Sequence, residues 1–142
     1  MRLDESTALT RLRAARVARL ATADPAGVPH LVPVTFAVST DGVPAVVIAI
    51  DHKPKTTTDL RRLRNIADNP RVSLLADHYD DEWTRLWWVR VDGTAEIRTG
   101  PAEIAEPVRL LSAKYVQYQQ NPPSGPVIRI RVDAIRGWAY SA

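Results

Sequence analysis

VARLATADPAGVPHLVPVTFAVSTDGVPAVVIAI, residues 17–50, reads as three strands joined by two turns. VARLATAD, 17–24, alternates apolar and polar positions and runs into the turn signal Pro25-Ala26-Gly27. PHLVPVTFAV, 29–38, follows as a second strand, and the two pair naturally as a hairpin. Thr40-Asp41-Gly42 marks the next turn, and PAVVIAI, 44–50, is mostly β-branched. A continuous apolar run of this kind implies a strand buried on both faces.

Strand patterns resume after a helix. Residues 58–67 carry Leu60, Leu63 and Ala67 as an inward stripe with arginines outward, and Asp68-Asn69-Pro70 ends the segment. RVSLLADHY, 71–79, is a fourth strand, and LWWVRVDGTAEIR, 86–98, a fifth after the polar loop DDEWTR. Its Asp92-Gly93 reads as a bulge or sharp bend, because strand-like sequence continues beyond it. PVIRIRVDAIRGWAY, 126–140, closes the set. Two more helices are expected. Residues 4–15 place Leu9, Leu12 and Ala15 or Ala8 at helical spacing, with Asp4 or Ser6 as the cap. Residues 101–119 place Ile104, Val108, Leu111 and Tyr115 on one stripe, with Pro107 predicting a kink or a shortened helix. Six strands with hairpin connections and few helices predict a mainly β, antiparallel sheet that removes its edges by curling into a barrel. No repeat, low-complexity segment or linker divides the chain, so residues 1–142 are expected to form a single domain.

The totals narrow the chemistry. The chain has 142 residues, a net charge of +3 and no cysteine, which excludes disulfides, thiolate metal sites and cysteine nucleophiles. His30, His52 and His78 have none of the close spacing of a local metal motif. No dinucleotide fingerprint, P-loop or nucleophile elbow is present. MRLDESTALTRLRAAR has no signal-peptide core, and no apolar stretch approaches the roughly 18–20 residues of a membrane span, so a cytoplasmic protein is expected.

Chemistry concentrates in DHKPKTTTDLRRLRN, residues 51–65. A strand ends at Ile50 and a helix is expected from about Thr58, so the loop between lies beside a helix N-terminus, where free N–H groups and the dipole favour an anion. Lys53 and Lys55 add positive charge, and Thr56 and Thr57 add hydroxyl donors suited to phosphate oxygens. Arg61 could reach back from the first turn, whereas Arg62 and Arg64 read as solvated helix surface. A second feature is Trp83 with the adjacent pair Trp87 and Trp88. Neighbours on a strand face opposite sides, so one enters the core and the other lies outside, where a partner subunit or a flat ligand would cover it. Asp77, Asp80, Asp81 and Glu82 form an acidic loop that is read as solvated rather than cation-binding. A nucleic-acid-binding barrel is the alternative for a basic protein with exposed aromatics. The modest charge, the single phenylalanine and the acidic neighbours of the tryptophans weigh against it.

ARLATADPAGVPHLVPVTFAV (18–38), KPKTTTDLRRLRNIADNPRVSLLADHY (53–79) and RLWWVRVDGTAEI (85–97), in that order, resemble the flavin- and deazaflavin-binding split β-barrel oxidoreductases related to pyridoxamine 5′-phosphate oxidase. Within them, the chain is most similar to the PPOX-class enzymes that use the deazaflavin coenzyme F420. The resemblance implies an FMN-binding type of split barrel with six to seven antiparallel strands, forming a homodimer with the cofactor in the groove between subunits. It implies a phosphate clamp of Lys53, Lys55 and Thr56, a ring site along Pro33, Val34 and Thr35 with Ala49, Ile50 and Asp51 behind it, and Trp87 and Trp88 reaching in from the partner chain. The chain departs from the family pattern in reading Thr57-Thr58-Asp59-Leu60 after the Lys-Thr pair, and a carboxylate at Asp59 would have to point away from a phosphate.

The implied activity is hydride transfer from reduced F420 to an unsaturated small-molecule acceptor, with orientation and exclusion of water supplied by the protein. An FMN-binding oxidoreductase, or a carrier that only sequesters the cofactor, keeps the same fold. His78, Tyr79 and Tyr115 are proton-donor candidates by residue type alone.

Overall fold

The computed structural model describes residues 1–50 and 60–141. The expected hairpin is present as β1 (Ala18–Ala23) and β2 (Pro29–Val34), in register from Ala18 opposite Val34 to Ala23 opposite Pro29. Its turn is closed by Asp24, whose carboxylate accepts from the backbone N–H groups of Ala26 and Val28 at 2.9 Å each. Gly27 supplies the positive φ of 85° that the turn requires.

The second predicted strand, 29–38, is divided. β2 ends at Val34, Thr35 and Phe36 leave the sheet, and β3 (Ala37–Ser39) pairs with β4 (Ala45–Ala49) instead. The remaining strands are β5 (Arg71–His78), β6 (Trp87–Arg98) and β7 (Val127–Ala139). All seven lie in one antiparallel sheet ordered β2-β1-β5-β6-β7-β4-β3. The two end strands of that order are joined by just Thr35 and Phe36. Laid flat, seven strands would separate their ends by roughly 29 Å at about 4.8 Å per strand. Three residue steps from Val34 to Ala37 reach at most about 11 Å. The sheet therefore has to curl back on itself.

Inside the curl, Leu20, Phe36, Val46, Ile48, Leu74, Val89, Val91, Ile128 and Ile130 form the core, under Ala8 and Leu12 of α1 (Glu5–Ala14). Asp4 caps α1, its carboxylate accepting from Thr7 N–H at 2.7 Å. The opposite face of β4 meets α3 (Pro101–Lys114), where Val47 and Ala49 pack with Ile104 and Leu111. That two-sided burial is why PAVVIAI carries no alternation.

Two helices depart from expectation. The segment expected at 101–119 runs through Pro107, which lies buried within α3, and breaks instead at Tyr115, with α4 (Val116–Gln120) following. α2 (Arg61–Asp68) begins at Arg61, and its buried residues are Asn65 and Ile66 rather than Ala67, which is exposed. Leu60 and Leu63 pack at the core margin as expected. A polar residue takes the inner face because the Asn65 amide donates to Thr22 Oγ1 at 3.0 Å, so neither buried group is left unpaired.

The register of β6 against β7 shifts at Asp92-Gly93, but the bulge itself lies in the facing strand. Asp92 lies opposite Ala134 and Gly93 opposite Val132, which leaves Asp133 as the extra residue on β7. A Cβ at Gly93 would collide with the Arg131 carbonyl oxygen and lie 2.6 Å from Ile130 Cγ2. Gly93→Ala is expected to cost about 2–3 kcal/mol by overpacking. Gly27→Ala faces open space, and should cost only about 1–2 kcal/mol for its left-handed backbone. Urea unfolding of both variants checks the order.

Candidate functional site

The break between β2 and β3 needs partners for its backbone, and α3 delivers them. Tyr115 follows α3 with extended dihedrals, φ −121° and ψ 124°. Its hydroxyl accepts from Phe36 N–H at 3.2 Å, and it lies within donating distance of the Phe36 carbonyl at 3.0 Å and the Arg16 carbonyl at 2.9 Å. Burial pushes the Tyr115 hydroxyl above the usual tyrosine range, and its single hydrogen is occupied by those carbonyls. That makes it a structural group rather than the proton donor its residue type suggested.

The neighbouring residues complete the corner. The Lys114 ammonium rests 3.9 Å from the centroid of the Phe36 ring, and the Arg16 guanidinium 4.6 Å from that of Tyr115. Burial, reinforced by the charge of Arg16, pulls the Lys114 amine down to about 8. Tyr118 meets Tyr115 edge-to-face, with centroids 5.8 Å apart at 84°. Its hydroxyl lies 2.9 Å from Thr35 Oγ1.

A cavity of about 230 Å³ opens at this break. Val17, Pro33, Val34, Ile48 and Ala49 form apolar walls, and Thr35, Tyr118 and Arg62 are the polar lining. A mixed slot, with apolar walls and a few convergent donors, suits a flat ring bearing polar atoms at its edge.

A family model for pyridoxamine 5′-phosphate oxidase matches residues 5–139. The chain belongs to that family. Its curled, mainly β sheet is accordingly a split barrel of the pyridoxamine 5′-phosphate oxidase type. No curated protein matches the chain. Among solved structures, a FAD-binding protein from Mesorhizobium loti is similar at 22% identity and TM-score 0.73, covering 96% of this chain and 95% of that one. A conserved hypothetical protein from Mycobacterium tuberculosis reaches TM-score 0.75 at 24% identity, with 97% and 86% covered. A FAD-binding protein from Mycobacterium smegmatis has TM-score 0.66 at 20% identity, with 97% and 96% covered.

In this pyridoxamine 5′-phosphate oxidase family chain, the expected ring-site residues Pro33, Val34 and Thr35 share one cavity with Ala49. Ile50 is buried beside them, its N–H donating to the Pro126 carbonyl at 3.1 Å, and does not line it. Arg61 is exposed and off the cavity, whereas Arg62, expected to be plain helix surface, is half-buried and lines it. Arg62 sits three residues before Asn65 and four before Ile66, so it shares the inner face they define. Lys53, Lys55, Thr56, Thr57 and Asp59 fall outside the described residues. The described elements on either side, β4 and α2, contribute Ala49 and Arg62 to the cavity.

Trp87 and Trp88 do face opposite ways. Trp87 packs against the core with the Arg11 guanidinium 5.4 Å from its centroid. Trp88 looks outward, lies opposite Trp138 across β6 and β7, and has Arg90 5.9 Å from its centroid. Neither lines the cavity. Trp83 is 68% exposed and Tyr79 60%. His78 Nε2 lies 2.7 Å from Asp80, a hydrogen bond that holds the Asp80 carboxyl below its usual range. Among the described residues, no group of three or more His, Cys, Asp or Glu could hold a metal ion.

Tyr118 and Arg62 are the site residues that sequence reasoning missed. The three-residue spacing of Tyr118 from Tyr115 was the available signal for the first, and the phase of α2 for the second.

Lys114 offers a test of the corner. An unfolded chain keeps this amine protonated up to about 10.5, whereas the native amine loses its proton near 8. Between those values the unfolded state binds more protons, so stability contributed at this position rises with pH. The unfolding free energy of the wild type relative to Lys114→Met is expected to shift in favour of the wild type between pH 7 and pH 9.5. Urea titrations at the two pH values measure it, and a pH-independent difference would show an ordinary surface amine.

Proposed function

We propose that the chain is a flavin- or deazaflavin-binding oxidoreductase whose ring partner is coenzyme F420, and that it passes hydride from the reduced coenzyme to an unsaturated small-molecule acceptor. The observation that carries this reading is the cavity at the β2–β3 break. Its apolar walls match the faces of a tricyclic ring, and its donors match the ring's polar edge. At about 230 Å³ it is smaller than the roughly 300–1,000 Å³ of a whole small-molecule site, so it suits the ring and not the tail.

When bound, the coenzyme supplies the hydride chemistry. Pro33, Val34, Ile48 and Ala49 would hold the ring's faces and keep water from them, and Arg62 would offer positive charge. Lys53, Lys55 and Thr56 in that segment supply the anion-binding chemistry for the tail. The outward Trp88 and Trp138, flanked by Arg90 and Arg136 around a depression of about 370 Å³, support a homodimer in which a second copy covers this face. In that arrangement the partner's tryptophans border the groove. No helix among the described residues is long and apolar enough to cross a membrane, and a cytoplasmic site of action fits the reducing coenzyme.

FMN is the second reading of the ring, favoured by the FAD-binding proteins among the similar structures. A carrier that binds without turnover is distinguished by reduction assays. Purified protein titrated with F420 and, separately, with FMN should give saturable fluorescence quenching with F420. Lys55→Ala should weaken that affinity about 10- to 100-fold, the size of a lost charge-assisted hydrogen bond. Saturation by FMN alone would move the reading to a flavin enzyme, and saturation by neither would overturn it.

A further inference from the structure

The Thr35 and Tyr118 hydroxyls lie 2.9 Å apart and both line the cavity. Each hydroxyl carries one hydrogen. One hydrogen serves the bond between them, whichever atom donates. The other has no acceptor among the described residues, where the bond between the two is the one that either hydroxyl makes. The geometry of the pair is tightly held. Tyr115 packs against the Tyr118 ring, and the Ser112 hydroxyl donates to the Tyr118 carbonyl at 3.3 Å. The Gln119 amide in turn donates to the Ser112 carbonyl at 2.9 Å. Thr35 is fixed from the other side by the Phe36 backbone on Tyr115.

An O–H with no acceptor among the described residues, in a slot whose remaining lining is apolar apart from Arg62, is a recognition element. We propose that the Thr35–Tyr118 hydroxyl pair donates one hydrogen bond to an acceptor atom, a carbonyl oxygen or ring nitrogen, on the edge of the heteroaromatic ring bound in this cavity. The proposal rests on the ring-binding reading above and adds a residue, Tyr118, that ties the α3–α4 corner to the ligand. Because the two oxygens share one hydrogen between them, the pair acts as a unit. Removing either hydroxyl breaks the arrangement that aims the spare hydrogen.

The test is a double-mutant cycle read by affinity, with F420 and FMN as the probes. Tyr118→Phe and Thr35→Val each remove one hydroxyl at nearly constant shape. Each is expected to weaken binding of the ring that the wild type takes by about 3- to 10-fold, the usual worth of one neutral hydrogen bond. The double variant should bind no more weakly than the weaker single variant, because both remove the same donated bond. Thr35→Ser keeps a hydroxyl and should bind within about twofold of the wild type while Thr35→Val does not, and that contrast decides the matter should Tyr118→Phe fail to fold. Urea midpoints are measured alongside. A fall in midpoint with unchanged affinity would mean the pair only braces the corner, and overturns the proposal. Losses that multiply in the double variant also overturn it, as two independent contacts. A wild type that binds neither probe overturns the ring-binding reading and the pair's role together, whereas a wild type that binds with variants that bind equally well overturns the pair alone.

Discussion

The Tyr115 hydroxyl does the work of a neighbouring strand at the place where the sheet has none. Between β2 and β3 the chain must leave one edge of the curled sheet and join the other, and Phe36, fully buried, brings its backbone N–H and C=O with it. Unpaired polar backbone in a core costs as much as a lost hydrogen bond or more. One phenolic oxygen meets both groups and holds the Arg16 carbonyl as well. The rest of the corner follows from that demand. α3 has to stop at Lys114 so that Tyr115 can turn inward, and the short α4 then carries Tyr118 to Thr35. The Lys114 amine is drawn onto the Phe36 ring, where its charge is poorly hydrated and its proton is held weakly. The cavity is the space left where the strand is missing.

A second constraint acts across the barrel. β6 and β7 are the longest strands, and a single extra residue, Asp133, changes their pairing halfway along. The outer surface beyond the bulge is polar and internally paired. Asp133 accepts from Thr94 and Arg131, which hold its carboxyl below the usual range, and Asp92 accepts from Ser73 and Arg90. On the other side of the bulge the same strands present Trp88 and Trp138. One pair of strands thus carries a self-satisfied polar surface and an aromatic surface with Arg90 over Trp88, which differ in what they can accept from a neighbour.

Much of this was legible in the chain. The hairpin, the doubly buried β4, an irregularity in pairing at Asp92-Gly93 and the opposed tryptophans all follow from a period of two and from turn chemistry, both local properties, although the extra residue proves to be Asp133 of the facing strand. The helices were less legible because their phase depends on where they start. Placing the start near Thr58 turned Arg61 toward the expected site, and the actual start at Arg61, with Asn65 bonded to Thr22, turned Arg62 inward instead. A buried asparagine cannot be foreseen without the threonine that satisfies it. The break at Tyr115 was hidden for a similar reason, since Pro107 is the stronger local signal and is tolerated inside α3.

By itself the sequence determined a mainly β, antiparallel barrel and the family it belongs to. Strand alternation, β-branched runs and glycine turns need no distant partner to be read. The tertiary structure alone decided that 29–38 is two strands, that Arg62 faces the cavity, and that Tyr118 joins Thr35. Each of those depends on a polar group finding its partner dozens of residues away. Such pairings are chosen by the burial of both groups together, and no local pattern records them.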